Sequence, residues 1–181
     1  QMCIRDRLKA KSKREANIFF SLCEKDSEII STRRFKDVLL NSGLKAKDKR
    51  LYNLFQNLDA HGERIVFEDF INIIRSSELI VEKALRGELS IPDFSYFAKN
   101  LDNMFDEVKK IKSGELASYI PPLANVDPDQ FGVAIVTTDG QIYQRGDSEV
   151  DFSIQSMCKP FNYCFAMEKL GLEKVHQHVG Q

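Results

Sequence analysis

Two stretches decide the fold, and they are one pattern written twice: FFSLCEKDSEIISTRRF, residues 19–35, and LFQNLDAHGERIVFEDF, residues 54–70. A shift of 35 residues lays Phe20 on Phe55, Glu28 on Glu63, Ile30 on Ile65 and Phe35 on Phe70. Self-similarity of this kind marks a supersecondary unit that buries its apolar face against a copy of itself. The surrounding sequence, from Leu8 to Ile111, reads as short helices. Phe35, Val38 and Leu39 share one face, with Ser31 or Thr32 available as N-cap and Gly43 placed to stop the helix. Leu51, Leu54, Phe55 and Leu58 repeat the pattern after Asp48. A longer helix puts Phe94, Phe97, Leu101, Met104, Phe105 and Val108 on one stripe, expected to be core.

The doubled helix-loop-helix resembles a pair of EF-hand units, which raises the question of calcium. A working loop needs oxygen ligands at its first, third, fifth and twelfth positions and glycine at the sixth. Counting from Asp59, the third position is His61, the sixth is Arg64 and the twelfth is Phe70. In the first copy Cys23, Lys25 and Arg34 fall near ligand positions. Both loops are therefore expected to pack without metal.

The 181 residues are 43% hydrophobic and 29% charged, a globular composition with room for one domain or two small ones. A net charge of -1 gives the whole chain no pull toward nucleic acid or an anionic membrane, so neither is expected as a partner. Positive charge gathers at the front, where Arg5, Arg7, Lys9, Lys11, Lys13 and Arg14 face one acid, Asp6; this reads as a solvated helix start or frayed end. The opening QMCIRDR does not join the periodicity that follows, and residues 1–7 read as a non-native scar. No apolar run reaches the roughly 18 residues of a membrane span. Cys3, Cys23, Cys158 and Cys164 show no disulfide or metal spacing, which suits the cytoplasm or the mitochondrial matrix.

The regime changes at IKSGELASYIPPLANVDPDQ, where Ser113-Gly114 and three prolines mark a boundary near residue 113. Residues 8–112 form the helical domain in this reading, and 113–181 a second one. FGVAIVTTDGQIYQR follows, two apolar runs joined through Asp139-Gly140, a hairpin signal. Helices followed by antiparallel strands make the fold class α+β.

In FSIQSMCKPFNYCFAMEKLG, residues 152–171, Pro160 must lie in a first helical turn, so the helix starts at about Gln155 to Met157. The residues from Phe161 to Leu170 leave almost no polar face, and this predicts a helix buried on most sides. Ser156 and Lys159 then stand at i and i+3 at its N-terminal tip. A serine hydroxyl is a poor nucleophile until a base takes its proton, and an amine in apolar surroundings can serve as that base. The helix N-terminus adds positive potential for an oxyanion, with the Ser156 N–H as a donor. The competing structural reading makes Ser156 an N-cap and Lys159 a solvent-reaching side chain, although a lysine at a helix start opposes the macrodipole.

The run from Gly114 to Gly180, with YIPPLA, FGVAIVTTDG, Gly146-Asp147, QSMCKP and LGLEKVHQHVG, resembles the opening of a glutaminase catalytic domain, in the fold shared with serine β-lactamases and penicillin-binding proteins. SIPDF, residues 90–94, and the helical pair resemble the N-terminal region of kidney-type and liver-type glutaminases. The resemblance implies an EF-hand-like domain followed by a truncated catalytic domain, and hydrolysis of L-glutamine to glutamate and ammonia through an acyl-enzyme. Ser156 would be nucleophile and Lys159 its base, with Tyr119 and Gln155 contacting substrate. It implies no cofactor, and a homo-oligomer, dimer or tetramer. The remaining contacts, a second tyrosine and a gating loop are expected beyond Gln181, which would leave this chain inactive and its nucleophile helix open. His176 and His178 lack a third metal ligand and read as surface or packing residues, and Cys158 reads as a packing residue. Two alternatives remain open at this point: a penicillin-recognising acylase with the same Ser-Lys pair, and a helical regulatory module that binds a partner helix.

Overall fold

A computed structural model describes residues 13–24 and 27–179. The scar at residues 1–7, the basic residues from Arg5 to Lys11, Cys3 and Lys25 lie outside the described residues. The chain forms two compact units, one from residues up to Ser113 together with Phe131–Ser148, the other from Gly114–Gln130 together with residues from Glu149 onward.

The first unit is built on the repeat. Helices α1 (Lys13–Leu22) and α2 (Thr32–Asn41) flank the first loop, and α3 (Tyr52–Ala60) and α4 (Phe67–Ile74) flank the second. Each loop contributes a two-residue strand, β1 (Ile30–Ser31) and β2 (Arg64–Ile65). They pair antiparallel with Ile30 opposite Ile65, so residues equivalent by sequence face each other across a pseudo-twofold. Phe35 and Phe70 obey the same relation: both are fully buried, their ring centroids 5.5 Å apart, and Phe19 packs on Phe70 at the same distance. Burying each such ring contributes roughly 1.5–3 kcal/mol, so these pairs hold the two halves together.

Ser31 caps α2 by accepting a hydrogen bond from the Arg34 N–H. At the other end Gly43 sits at φ +84°, its N–H donating to the Leu40 carbonyl while the Leu44 N–H donates to Leu39. This is a Schellman closure. It delivers Leu44 into the core. Leu51, Leu54, Phe55 and Leu58 are all buried, as their spacing predicts. Helix α5 (Glu78–Arg86) ends at Gly87, and α6 (Phe94–Val108) starts at Asp93, whose carboxylate accepts the Tyr96 N–H.

The α6 stripe is only partly core. Phe94 and Phe105 are buried, but Met104 and Val108 are 60% and 47% exposed. A two-stranded hairpin covers the Phe105 end, where Phe131 and Arg145 lie against that ring. That hairpin is β3 (Gly132–Val136) with β4 (Ile142–Gly146), antiparallel, Val136 opposite Ile142. Its turn carries Asp139-Gly140 as expected; the Gly140 N–H donates to Thr137, the Thr137 N–H donates to Gln141, and Gly140 has φ +93°. This makes a three-residue loop with a bulge.

The second unit holds the short α7 (Pro121–Ala124), a 3₁₀ turn at Gln155–Met157, α8 (Cys158–Leu170) and α9 (Leu172–His176). Pro160 stands third in α8, inside the first turn as required. The expected burial of α8 is not found: it has no buried residue, and Phe161 and Phe165 are about 60% exposed. Apolar content drives burial only where another element supplies a surface, and the short α7 and α9 are too small to supply it. Among the described residues no helix is long and apolar enough to cross a membrane.

Candidate active site

The turn that precedes α8 carries the candidate chemistry. Gln155 has φ +48°, the one non-glycine described residue in the left-handed region. Holding a long side chain there costs on the order of 1–3 kcal/mol, and such strain persists where surrounding bonds determine it. The bonds are present. Tyr119 Oη donates to Gln155 Oε1 at 2.9 Å, and Gln155 Nε2 donates to Ser153 Oγ at 3.0 Å. Residues 36 positions apart are thereby joined next to Ser156.

Ser156 follows in the 3₁₀ turn, and Lys159 is the second residue of α8. Three positions apart across the junction of the turn with α8, the two are about one helical turn from each other. Both are exposed, and neither makes a side-chain hydrogen bond or ion pair with another described residue. The structure therefore brings Tyr119 and Gln155 into direct contact and leaves Ser156 and Lys159 adjacent and open. Ser153 was missed by sequence reasoning: a serine two residues before a glutamine carries no periodicity and no motif.

His176 has a packing partner. Its Nε2 lies 2.6 Å from Tyr163 Oη, with the rings stacked, which ties α9 to α8. Among the described residues no group of three or more His, Cys, Asp or Glu side chains is arranged to hold a metal. In the second EF-hand-like loop Lys36 Nζ hydrogen-bonds Asp59, the would-be first ligand, while His61 Nε2 is 3.5 Å from Asp69. An open cleft of about 830 Å³ lies beside this pair, lined by Ser31, Thr32, Lys36, Asp59 and Gly62 among others. Ser31 Oγ and Thr32 Oγ1 in its lining bond to backbone groups and not to a neighbouring base, so the turn at Ser156 is the better candidate.

Comparison with known proteins agrees with this order of domains. Residues 114–181 match the glutaminase family model, and residues 14–92 match that of an EF-hand domain. The chain joins an EF-hand domain to a glutaminase segment. Putative glutaminase 3 of Caenorhabditis elegans is 36% identical over 159 residues, 82% of this chain and 27% of that protein. The mitochondrial liver isoform of glutaminase from Rattus norvegicus is 31% identical over 170 residues, 91% of this chain and 28% of that one. A glutaminase of Nostoc is 42% identical over 99 residues, 55% of this chain. The chain thus spans little more than a quarter of the length of the first two relatives. Tyr119, Ser153, Gln155, Ser156 and Lys159 all lie within the glutaminase segment.

Proposed function

We propose that the protein to which this chain belongs hydrolyses the side-chain amide of L-glutamine, giving glutamate and ammonia. Ser156 Oγ attacks the amide carbon, and its proton passes to the Lys159 amine. The tetrahedral oxyanion is held by the Ser156 N–H at the N-terminal end of α8, a donor of a kind worth roughly 100 to 1,000-fold in rate. On collapse the amide nitrogen takes the proton from Lys159 and leaves as ammonia, and a γ-glutamyl ester remains on Ser156. Water activated by Lys159 then releases glutamate. Tyr119 and Gln155 contact the substrate. The observation that supports this reading is the Tyr119–Gln155 hydrogen bond, which joins two distant residues of the glutaminase segment one position from the nucleophile.

The division of labour follows the sequence, with residues 8–112 as the EF-hand-like domain, residues 113–181 carrying the first catalytic groups, and residues 1–7 a non-native scar. No metal or cofactor takes part, the complete enzyme is a homo-oligomer, and the compartment is the matrix or the cytosol. The chain by itself is inactive, because α8 is exposed and apolar cover for Lys159 is absent. Ammonia release from L-glutamine tests this in a protein extended to the length of the relatives. Ser156→Ala abolishes turnover while glutamine binding persists, and Lys159→Met is nearly as severe. A Ser156→Ala enzyme with a tenth of wild-type activity overturns the dyad; turnover by the 181-residue chain within about a hundredfold of the extended enzyme overturns the account of its inactivity.

A further inference from the structure

The hairpin Phe131–Ser148 lies in the stretch that matches glutaminase, yet it packs within the compact unit of the EF-hand helices. Its tip is held by a side chain that sequence alone would assign to solvent. Gln141 is fully buried. Its Nε2 donates to the carbonyls of Ser42 at 2.9 Å and Ile91 at 2.8 Å, and its Oε1 accepts the Ile91 N–H at 2.9 Å. The amide is satisfied on both sides, by backbone at the end of α2 and backbone just before α6. The Gly43 carbonyl accepts the Ile142 N–H at 2.8 Å beside a bridge between Leu44 and Gln141, which extends β4 onto the helical domain.

Charge closes the same contact. Asp139 accepts from Lys83 Nζ, the Ser90 N–H and Ser90 Oγ at 2.7–2.9 Å, and Arg50 donates to the Thr138 carbonyl at 3.0 Å. At the open end of the hairpin, Phe131 stacks on Phe105 at 4.8 Å, the Arg145 guanidinium lies over the Phe105 ring at 4.7 Å from its centroid, and Tyr143 donates to Asp102. Lys83, Ser90 and Ile91 belong to the EF-hand match, while Asp139 and Gln141 belong to the glutaminase match.

We propose that the EF-hand helices and the first glutaminase hairpin fold as one cooperative unit keyed by Gln141, so that the helical domain is a fixed support for those strands and not a detachable module. The buried amide can leave its place only by exposing two carbonyls and an N–H that have no other partner, and each such orphan is worth roughly tenfold or more in an opening equilibrium. Partial release of the hairpin is therefore nearly as unfavourable as opening the helical core beside it.

Native-state hydrogen exchange on the 181-residue chain tests this, with Gln141→Ala as the perturbation. The expected result is a rise of about a hundredfold in the opening constants of hairpin amides such as Ile135 and Ile142, matched by core helix amides such as Phe55 and Phe70. If Gln141→Ala yields no folded protein, Asp139→Asn replaces it, with a matched rise of about tenfold. A rise confined to the hairpin, with Phe55 and Phe70 unmoved, overturns the proposal, as does no change in either set.

Discussion

Asp139 offers a direct electrostatic test of the clamp on the hairpin tip. Hydrogen bonds from Lys83 and then Ser90 hold its carboxyl well below the usual range, from 3.8 to about 2. A drop of that size corresponds to at most about 2.5 kcal/mol of stability. The side chain is 16% exposed, so solvent weakens the pairing, and we take about 1–2 kcal/mol as the expected contribution. Because the folded pKa is depressed, the contribution is complete above the unfolded value near 4 and disappears as pH falls through about 2. Asp139→Asn keeps the shape and removes the charge. Urea unfolding of wild type and variant across this range isolates the effect, since other carboxylates such as Asp48 cancel in the difference. The gap should be about 1–2 kcal/mol between pH 5 and 7, shrink below pH ~4 and vanish near pH ~2. A gap that stays constant with pH, or one within the ~0.5 kcal/mol of an ordinary surface change at neutral pH, refutes the reasoning.

Two further outcomes follow from the EF-hand domain. Gly43→Ala should cost about 2–4 kcal/mol in urea unfolding, because φ is +84° and the new Cβ would lie 2.7 Å from the Phe94 ring; a cost under about 1 kcal/mol contradicts the Schellman closure. Calorimetric titration with calcium should give no micromolar binding and no rise in melting temperature, because Lys36 engages Asp59 and the loop supplies too few oxygens; binding with a matching thermal shift refutes this.

The repeat was legible because core positions obey a period. Phe35 and Phe70 line up in sequence, and the physical reason they do so, a shared core across a pseudo-twofold, also pairs Ile30 with Ile65. The hairpin was legible from turn chemistry, since Asp139-Gly140 favours the left-handed glycine that the loop uses. Where that hairpin packs was not. A glutamine beside a turn reads as solvated, and only tertiary contact shows that Gln141 meets backbone groups of Ser42 and Ile91. The burial of α8 was overread for the opposite reason: Phe161 and Phe165 state a demand for cover without naming its source. At the candidate site Ser156 and Lys159 stood out by spacing, whereas Ser153 and the left-handed Gln155 depend on side-chain geometry that no pattern encodes.

The central claim, acyl transfer through Ser156, is tested most directly by acid-quenching the extended enzyme during turnover of L-glutamine and mapping the covalent adduct by peptide mass spectrometry. The account predicts a γ-glutamyl ester on Ser156 that forms with ammonia release and is absent from Ser156→Ala. Rapid ammonia release with the adduct on another residue, or from a Ser156→Ala enzyme at near wild-type rate, would contradict it.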